Sequence, residues 1–255
     1  QGSYVAEAFT AATSAALSAL PTHTTNDVIL IQATQDGGSG TLSLGTVAVT
    51  ASAANDTLTY TGADIWTDGL QVVFTATAFP GNLAAATVYY IRDADAGANT
   101  FKVAATAGGA AIDLTSAGTA PVAHLWSSGG WFATGLRTGT PAGGAYQQLF
   151  YKVAVSGAET PPTIYSAITE EFSLTCLVIR DANTTTPIDN ISAQTDWNNV
   201  ASAAVGLTPA TNGCLVLYCY GSDGAPNFRN DLDDALMIGQ TSLTTCSSAI
   251  CYRQQ

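Results

Sequence analysis

The two histidines are the residues best suited to acid–base or metal chemistry, because imidazole titrates near neutral pH and binds metal ions through its ring nitrogens. His23 lies in the turn-like segment Pro21–Thr25, and His124 lies beside an expected domain junction. Neither has a second His or a Cys at the close spacing of a zinc site. We therefore expect both to be surface or junction residues, and we assign no catalytic, cofactor-binding or metal-ligating residue.

Acidic residues cluster in three segments that resemble calcium-binding turns. These are Asp93 and Asp95 with Asn99, Asp181 with Asn183, and Asp223 with Asn227, Asp231, Asp233 and Asp234. Calcium takes about six to eight oxygen ligands, which Asp-x-Asp and Asp-x-Asn turns supply. None of the three has EF-hand spacing, so we favour the alternative that these residues end strands and keep the surface soluble. Whether Ca²⁺ binds stays open, and the last segment is the best candidate.

Five cysteines fall in the C-terminal half, at positions 176, 214, 219, 246 and 251. An odd number leaves at least one thiol free unless it pairs between chains. Four are candidate disulfide partners: Cys214, Cys219, Cys246 and Cys251. In an antiparallel strand pair, the residue numbers of facing residues add up to a constant, the index sum. An index sum of 465 would place Cys214 opposite Cys251 and Cys219 opposite Cys246. A local bridge between 246 and 251, or buried free thiols in a reducing cytosol, are the alternatives.

Aromatic residues offer a further candidate surface. Trp66, Trp126, Trp131 and Trp197, together with ten tyrosines, are candidates for a sugar-stacking platform. Trp131 follows a glycine in a Gly-Trp pair and is expected in the core. The other three tryptophans are left open between core and surface.

Charge and composition exclude several classes of function. The formal net charge is −12, and the seven Lys and Arg residues are scattered along the chain, so no basic stripe exists for nucleic acid. Glycoside cleavage needs paired carboxylates, and the neighbours Glu170 and Glu171 would point to opposite faces of a strand. No Gly-x-Ser-x-Gly elbow or phosphate loop occurs. No apolar run is long enough for a membrane helix, so we expect no membrane insertion.

The elements that must position these residues are β-strands. The chain has 36 threonines, which favour strands, and 47% hydrophobic residues, which suffice for a core. Six β-rich runs are followed by turn residues within a few positions. They are 28–31, 71–74, 87–91, 148–153, 172–179 and 214–220. Residues 6–20 contain Ala and Leu but also Thr and Ser, and we interpret them as a strand or an extended arm.

A change of composition predicts that one domain is inserted into another. Residues 46–123 are rich in Gly and Ala, and glycine-rich loops at 36–40 and 127–130 flank them. We therefore expect a jelly-roll-like outer β-sandwich formed by 1–45 and 124–255, and a small inserted β domain formed by 46–123.

The inserted segment resembles a small β module of tailed-bacteriophage virion proteins, especially tail and fibre components. The resemblance rests on these stretches in this order: Asp56–Gly62, Gly69–Phe74, Phe79–Leu83, Thr87–Ile91, Ala98–Val103 and the closing Asp113–Thr119. The flanks resemble phage β-sandwich domains. The matching stretches there are Asn26–Ile31, Gly130–Trp131, Leu149–Ala154, Arg180–Asp189 and Thr211–Leu217.

The resemblance implies a non-enzymatic structural protein on the exterior of a tailed-phage virion, as a capsid decoration or a tail or fibre component. It implies no catalytic residue. The expected partners are copies of the same chain, as a homotrimer, and other virion proteins. The alternative is an adhesin that binds a host-surface glycan or protein. The segment before Pro21, as an arm, would pack on a neighbouring copy.

Overall fold

The computed structural model describes residues 3–36, 41–62, 65–138, 145–191, 215–223, 236–242 and 246–254. These residues form fifteen β-strands, and no helix among them is long and apolar enough to cross a membrane. The strands are β1 (Tyr4–Ala15), β2 (Val28–Gln35), β3 (Thr46–Ser52), β4 (Thr57–Tyr60), β5 (Gln71–Thr75), β6 (Tyr89–Asp95), β7 (Thr100–Ala104), β8 (Val122–Leu125), β9 (Ser127–Ser128), β10 (Trp131–Thr138), β11 (Tyr146–Val153), β12 (Ile164–Ile179), β13 (Leu215–Asp223), β14 (Leu236–Ser242) and β15 (Cys246–Gln254). The expected all-β class is confirmed.

The chain divides into two compact units. One contains Gln1–Leu42 and Gly130–Gln255, and the other contains Ser43–Gly129. The inner unit extends three residues before the expected start at 46 and six residues beyond the expected end at 123. The extension includes the end of β8 and the short strand β9.

The outer unit contributes five antiparallel strands, in the order β1-β12-β2-β11-β10, to a six-stranded sheet. A three-stranded sheet, β13-β15-β14, packs against β1, β2 and β12. The described strands of this unit number eight, as in a jelly roll, but they divide five and three. Every residue of β2 is buried, because β2 lies in the middle of its sheet.

The two faces of the six-stranded sheet differ in polarity. Residues alternate between faces along a strand, so the register sorts them. One face is mainly apolar, with buried side chains at Ile29, Ile31, Phe150, Phe172 and Cys176, and it also carries the buried amides of Gln35 and Gln148. The other face carries buried polar side chains at Gln32, Thr34, Ser173 and Thr175, beside the buried Leu30 and Leu177. Gln147 extends this polar face, and its Nε2 donates to the carbonyl oxygen of Cys219 on β13 at 3.2 Å. The polar face therefore meets the three-stranded sheet.

The inner unit is a closed antiparallel barrel with the strand order β3-β4-β7-β6-β5-β8. The pairing of β3 with β8 closes it. Its interior holds an aromatic cluster in which Trp66 stacks on Phe101 with ring centroids 5.5 Å apart, and Tyr60 lies 6.0 Å from both. Gly118 has a φ of +69°, and a Cβ there would lie 2.5 Å from the carbonyl oxygen of Ala78. Only glycine fits at this point of the barrel's last connection.

The strand alternative is confirmed for the N-terminal segment. β1 pairs antiparallel with β12 of the same chain from Tyr4 opposite Leu177 to Ala15 opposite Ile164, because the sixteen-residue β12 offers a complete edge for pairing. Packing of this segment on a neighbouring copy stays a prediction. Each of the six β-rich runs predicted from sequence overlaps an observed strand, and the starts agree within two residues except at β12, which begins eight residues earlier.

Candidate functional site

The most completely buried ion pair among the described residues joins Lys152 and Glu159 in the outer unit. Lys152 Nζ lies 2.6 Å from Glu159 Oε2, and the two side chains are 12% and 8% exposed. Lys152 belongs to β11, and Glu159 follows that strand in the segment that leads to β12. Both groups can stay charged in this setting because each neutralises the other.

Glu159 also organises the loop that contains it. Its Oε1 accepts hydrogen bonds from the backbone N–H groups of Val155 at 2.9 Å and Ser156 at 3.1 Å. The hydrogen bond from Lys152 is the largest influence on this carboxyl and lowers its pKa. Burial acts in the opposite direction, and the Val155 N–H lowers the pKa further. Glu159 is therefore a carboxylate at neutral pH and does not act as a general acid there.

His23 connects this loop to the segment before β2. Its Nδ1 lies 2.7 Å from the carbonyl oxygen of Pro21, and its Nε2 accepts a hydrogen bond from the backbone N–H of Glu159 at 3.2 Å. This arrangement requires the neutral tautomer with the proton on Nδ1. His23 is buried, so the expectation of a surface residue was wrong. The error arose because a turn-like sequence does not show that a later loop will cover it.

Asp27 lies in the same segment, and its carboxylate also binds groups of this chain. Its Oδ2 accepts hydrogen bonds from the N–H of Thr24 at 2.8 Å and from the Thr24 hydroxyl at 3.2 Å. Arg180, at the end of β12, lies 3.9 Å away. His23, Asp27, Lys152 and Glu159 therefore hold loops at the ends of three neighbouring strands. We call these four residues the loop-anchoring cluster.

The second histidine lies on a strand of the barrel and faces away from the barrel's interior, to which its neighbours Ala123 and Leu125 point. His124 on β8 is fully buried, with Nδ1 at 3.1 Å from the Thr46 hydroxyl and Nε2 at 2.8 Å from the Thr75 hydroxyl. The expectation was a surface or junction residue: His124 is not at the surface, and it lies five residues before the boundary between the units, which follows Gly129. With both ring nitrogens engaged by threonines of neighbouring strands, His124 links three strands of the barrel.

Where the structure describes them, the predicted acidic clusters lie at strand ends or in turns. Asp93 and Asn99 have positive φ angles, and Asp95 Oδ1 accepts the N–H of Ala98 at 3.0 Å. Asn183 Oδ1 accepts the N–H groups of Thr185 and Thr186, and Asp181 also has a positive φ. Among the described residues, no three His, Cys, Asp or Glu side chains group as a metal site would require. Asp223 ends β13, and Asn227, Asp231, Asp233 and Asp234 lie outside the described residues.

The tryptophans within the described ranges are buried. Trp66, Trp126 and Trp131 are each exposed by 3% or less, and the expectation that Trp131 is a core residue is confirmed. Trp197 lies outside the described residues. The described aromatic pair that reaches solvent is instead Phe132, 37% exposed, stacked on Tyr151 with ring centroids 5.7 Å apart. Burial raises the pKa of the Tyr151 hydroxyl.

The register of β13 and β15 differs from the one that index sum 465 requires. Cys219 lies opposite Ile250, and Cys251 lies opposite Tyr218, so the observed sum is 469. Cys246 lies opposite Asp223, four positions along the strand from Cys219, about 13 Å away. A disulfide needs Cα atoms within about 7 Å, so Cys219 and Cys246 are too far apart to form one.

The local bridge meets the same limit. Cys246 and Cys251 are both in β15, where five residues span about 16 Å. Cys214 lies outside the described residues, so its pairing stays a prediction. Cys176 is a buried thiol on the apolar face, and burial raises its pKa.

Lys152 and Glu159 were missed by the sequence reasoning. A lysine at the end of an apolar strand ordinarily points to solvent, and a single Glu in a loop is unremarkable. One signal was present: Glu159 is one of four glutamates, and it follows the turn residues Ser156 and Gly157.

Comparison of the chain with protein-family models, curated proteins and solved structures finds no match.

Proposed function

We propose that this protein is a non-enzymatic structural component on the exterior of a tailed-phage virion, in a capsid-decoration, tail or fibre position. The virion assignment is supported by the sequence resemblances of the inserted module and of its flanks. The observation that supports the non-enzymatic part is that the buried ionisable side chains form hydrogen bonds within the chain. His23, His124 and Glu159 all have their polar atoms bonded within the chain.

A catalytic group must contact a substrate, so its reactive atom has to be reachable and not already committed. The loop-anchoring cluster meets neither condition. Each of its members satisfies backbone or side-chain groups of the same unit, as residues that stabilise loops do. A β protein made of two compact units suits a role in which a folded surface docks onto other virion proteins.

Quantitative mass spectrometry of purified particles tests this proposal. The chain is counted against the major capsid protein of the same particles. A copy number that follows the capsid lattice would identify a decoration protein, and a copy number that follows the tail would identify a tail or fibre component. Particles that lack the chain would contradict the virion proposal.

An adhesin is the second candidate, and the Phe132–Tyr151 pair favours it. An exposed aromatic face stacks on the apolar face of a pyranose ring. Glycan-array binding by the intact chain, lost in Phe132→Ala and retained in Ile65→Ala, would support glycan recognition at this pair. Ile65 is a suitable control because it is an exposed large apolar residue, 42% exposed, that belongs to the inner unit. Equal binding by both variants would contradict recognition at Phe132.

A further inference from the structure

The strand β1 forms one edge of the six-stranded sheet. It pairs with β12 on one side, and no described strand pairs with its other side. An edge strand presents backbone N–H and C=O groups that can pair with another chain. The question is which groups of β1 are presented and whether anything protects them.

One hydrogen bond determines which residues face outward. The N–H of Val178 donates to the carbonyl oxygen of Ser3 at 3.0 Å, and these residues lie opposite each other in the register that continues from Tyr4 and Leu177. Hydrogen-bonded positions alternate along an antiparallel pair. Ser3, Val5, Glu7 and Phe9 therefore bond to β12, and the backbone groups of Tyr4, Ala6 and Ala8 point away from it.

The usual protections of an edge strand are missing from this part of β1. Lysine, proline, charged side chains and bulges prevent edge pairing in natural sheets. β1 contains neither Lys nor Pro. Its single charged residue is Glu7, whose carboxylate is held by the backbone N–H of Ser18 at 3.0 Å and by the Ser18 hydroxyl. The irregularities in pairing begin only after Phe9.

We propose that two copies of this chain pair through the outer edge of β1, antiparallel about a twofold axis at Ala6. Ala6 then lies opposite Ala6 of the second copy, and Tyr4 lies opposite Ala8 of the second copy. The pairing places backbone donors and acceptors of Tyr4, Ala6 and Ala8 against each other. The interface is isologous, which is the commonest form of homodimer symmetry.

Side chains select this register over its neighbours. Tyr4 is 54% exposed, and opposite it the small Ala8 leaves room for the ring. Glu7 lies opposite Val5 of the second copy. A shift by one residue in each chain would place Glu7 opposite Glu7, and like charges directly opposite each other are destabilising. That shift would also bring Thr10, beyond the regular stretch, into the pairing.

This inference rests on the geometry of β1 and not on the virion proposal, so the two can fail separately. Sedimentation equilibrium of the intact chain, over a series of concentrations, is the first measurement. We expect a species of twice 26.0 kDa. A monomer throughout the series, or the trimer expected from sequence, would overturn the proposal.

The variant Ala6→Pro tests the edge directly. The N–H of Ala6 points away from β12, so proline removes a hydrogen bond between copies and none within the chain. We expect a folded monomer, with far-ultraviolet circular dichroism unchanged. Ala6→Lys is the second variant, and it should also dissociate the copies by placing like charges opposite each other. If both variants are folded and still dimeric, β1 is not the interface.

Cysteine substitution tests the register. In Ala6→Cys the two introduced residues face each other with Cα atoms about 5.5 Å apart, within the range of a disulfide. In the matched control Ala8→Cys they are about 13 Å apart along the strands. We expect an intermolecular disulfide in Ala6→Cys beyond that of the unsubstituted chain, and none in Ala8→Cys. Equal crosslinking of the two variants, or none in Ala6→Cys, would contradict the twofold axis at Ala6.

Discussion

Lys152 Nζ and Glu159 Oε2 lie 2.6 Å apart at the end of β11, in a pair that is almost completely covered. The same carboxylate accepts two backbone N–H groups of the loop that follows the strand. One residue therefore neutralises a buried lysine and also fixes the conformation of the loop. Its removal should affect stability more than removal of an ordinary loop carboxylate would.

The first prediction concerns Glu159→Gln. The amide keeps an oxygen for the Val155 and Ser156 N–H groups but leaves the Lys152 ammonium without its counter-charge. We expect the free energy of unfolding to fall by about 2 kcal/mol. Chemical denaturation at pH 7 measures it. Glu170→Gln, which removes the same charge from a half-buried position on β12, is the control and should change it much less.

The same pair predicts the direction of a pH dependence. The pKa of Glu159 in the folded protein lies below its ordinary value of 4.5, so the folded state favours the carboxylate. This contribution to stability is complete above the ordinary value and is lost as the pH falls through the lowered folded-state value. The stability difference between the parent chain and Glu159→Gln should therefore be constant near neutrality and shrink below about pH 4.5. A difference that grows on acidification would contradict the assignment.

The barrel makes a separate prediction at His124. His124→Ala removes a buried ring and leaves the Thr46 and Thr75 hydroxyls without their partner. We expect a loss of about 3 kcal/mol. Hydrogen exchange of the backbone amides in β3, β5 and β8 measures this loss of stability within the barrel. A double-mutant cycle of His124→Phe with Thr75→Val should show coupling between the two residues, and additive effects would contradict the hydrogen bond.

Cys176 should be unreactive in the folded protein. Its thiol is buried, and burial raises its pKa, so little thiolate forms and little reagent reaches it. Alkylation followed by peptide mass spectrometry should label Cys176 only as the chain unfolds in denaturant. Labelling of Cys176 at native conditions, with the secondary structure intact, would contradict its position in the apolar face.

Two glutamines on neighbouring strands should respond differently to substitution. Gln35 Nε2 and Gln148 Oε1 are buried and have no hydrogen-bond partner. Gln35 accepts one bond from the Ser166 hydroxyl, whereas Gln148 Nε2 donates to the carbonyl oxygen of Thr134 at 2.8 Å. Gln35→Met should cost less than about 1 kcal/mol, because it also removes an unsatisfied donor. Gln148→Met should cost about 1 to 2 kcal/mol more, because it leaves a buried carbonyl unpaired. Equal losses in thermal denaturation would contradict this difference.

Part of the fold follows from local patterns. Threonine-rich and apolar runs that end in Asp, Gly or Asn located β2, β5 and β11 closely, because strand propensity and turn chemistry act over a few residues. The start of β12 was missed by eight residues, since Thr169, Glu170 and Glu171 do not form an apolar run. Pairing with β1 extends the strand there, and pairing is a long-range property.

The amino-acid sequence was sufficient to predict the all-β class, the positions of six of the fifteen described strands and the composition change around residues 46–123. The environments of individual side chains depend on the tertiary structure. His23 and Glu159 are 136 residues apart in sequence, and Thr46 and His124 are 78 apart. The burial and the hydrogen-bond partners of a side chain depend on which segments, distant in sequence, come into contact. Strand pairing determines those contacts. The same reason explains the cysteines: spacing suggested index sum 465, whereas the pairing of β13 with β15 placed Cys219 opposite Ile250.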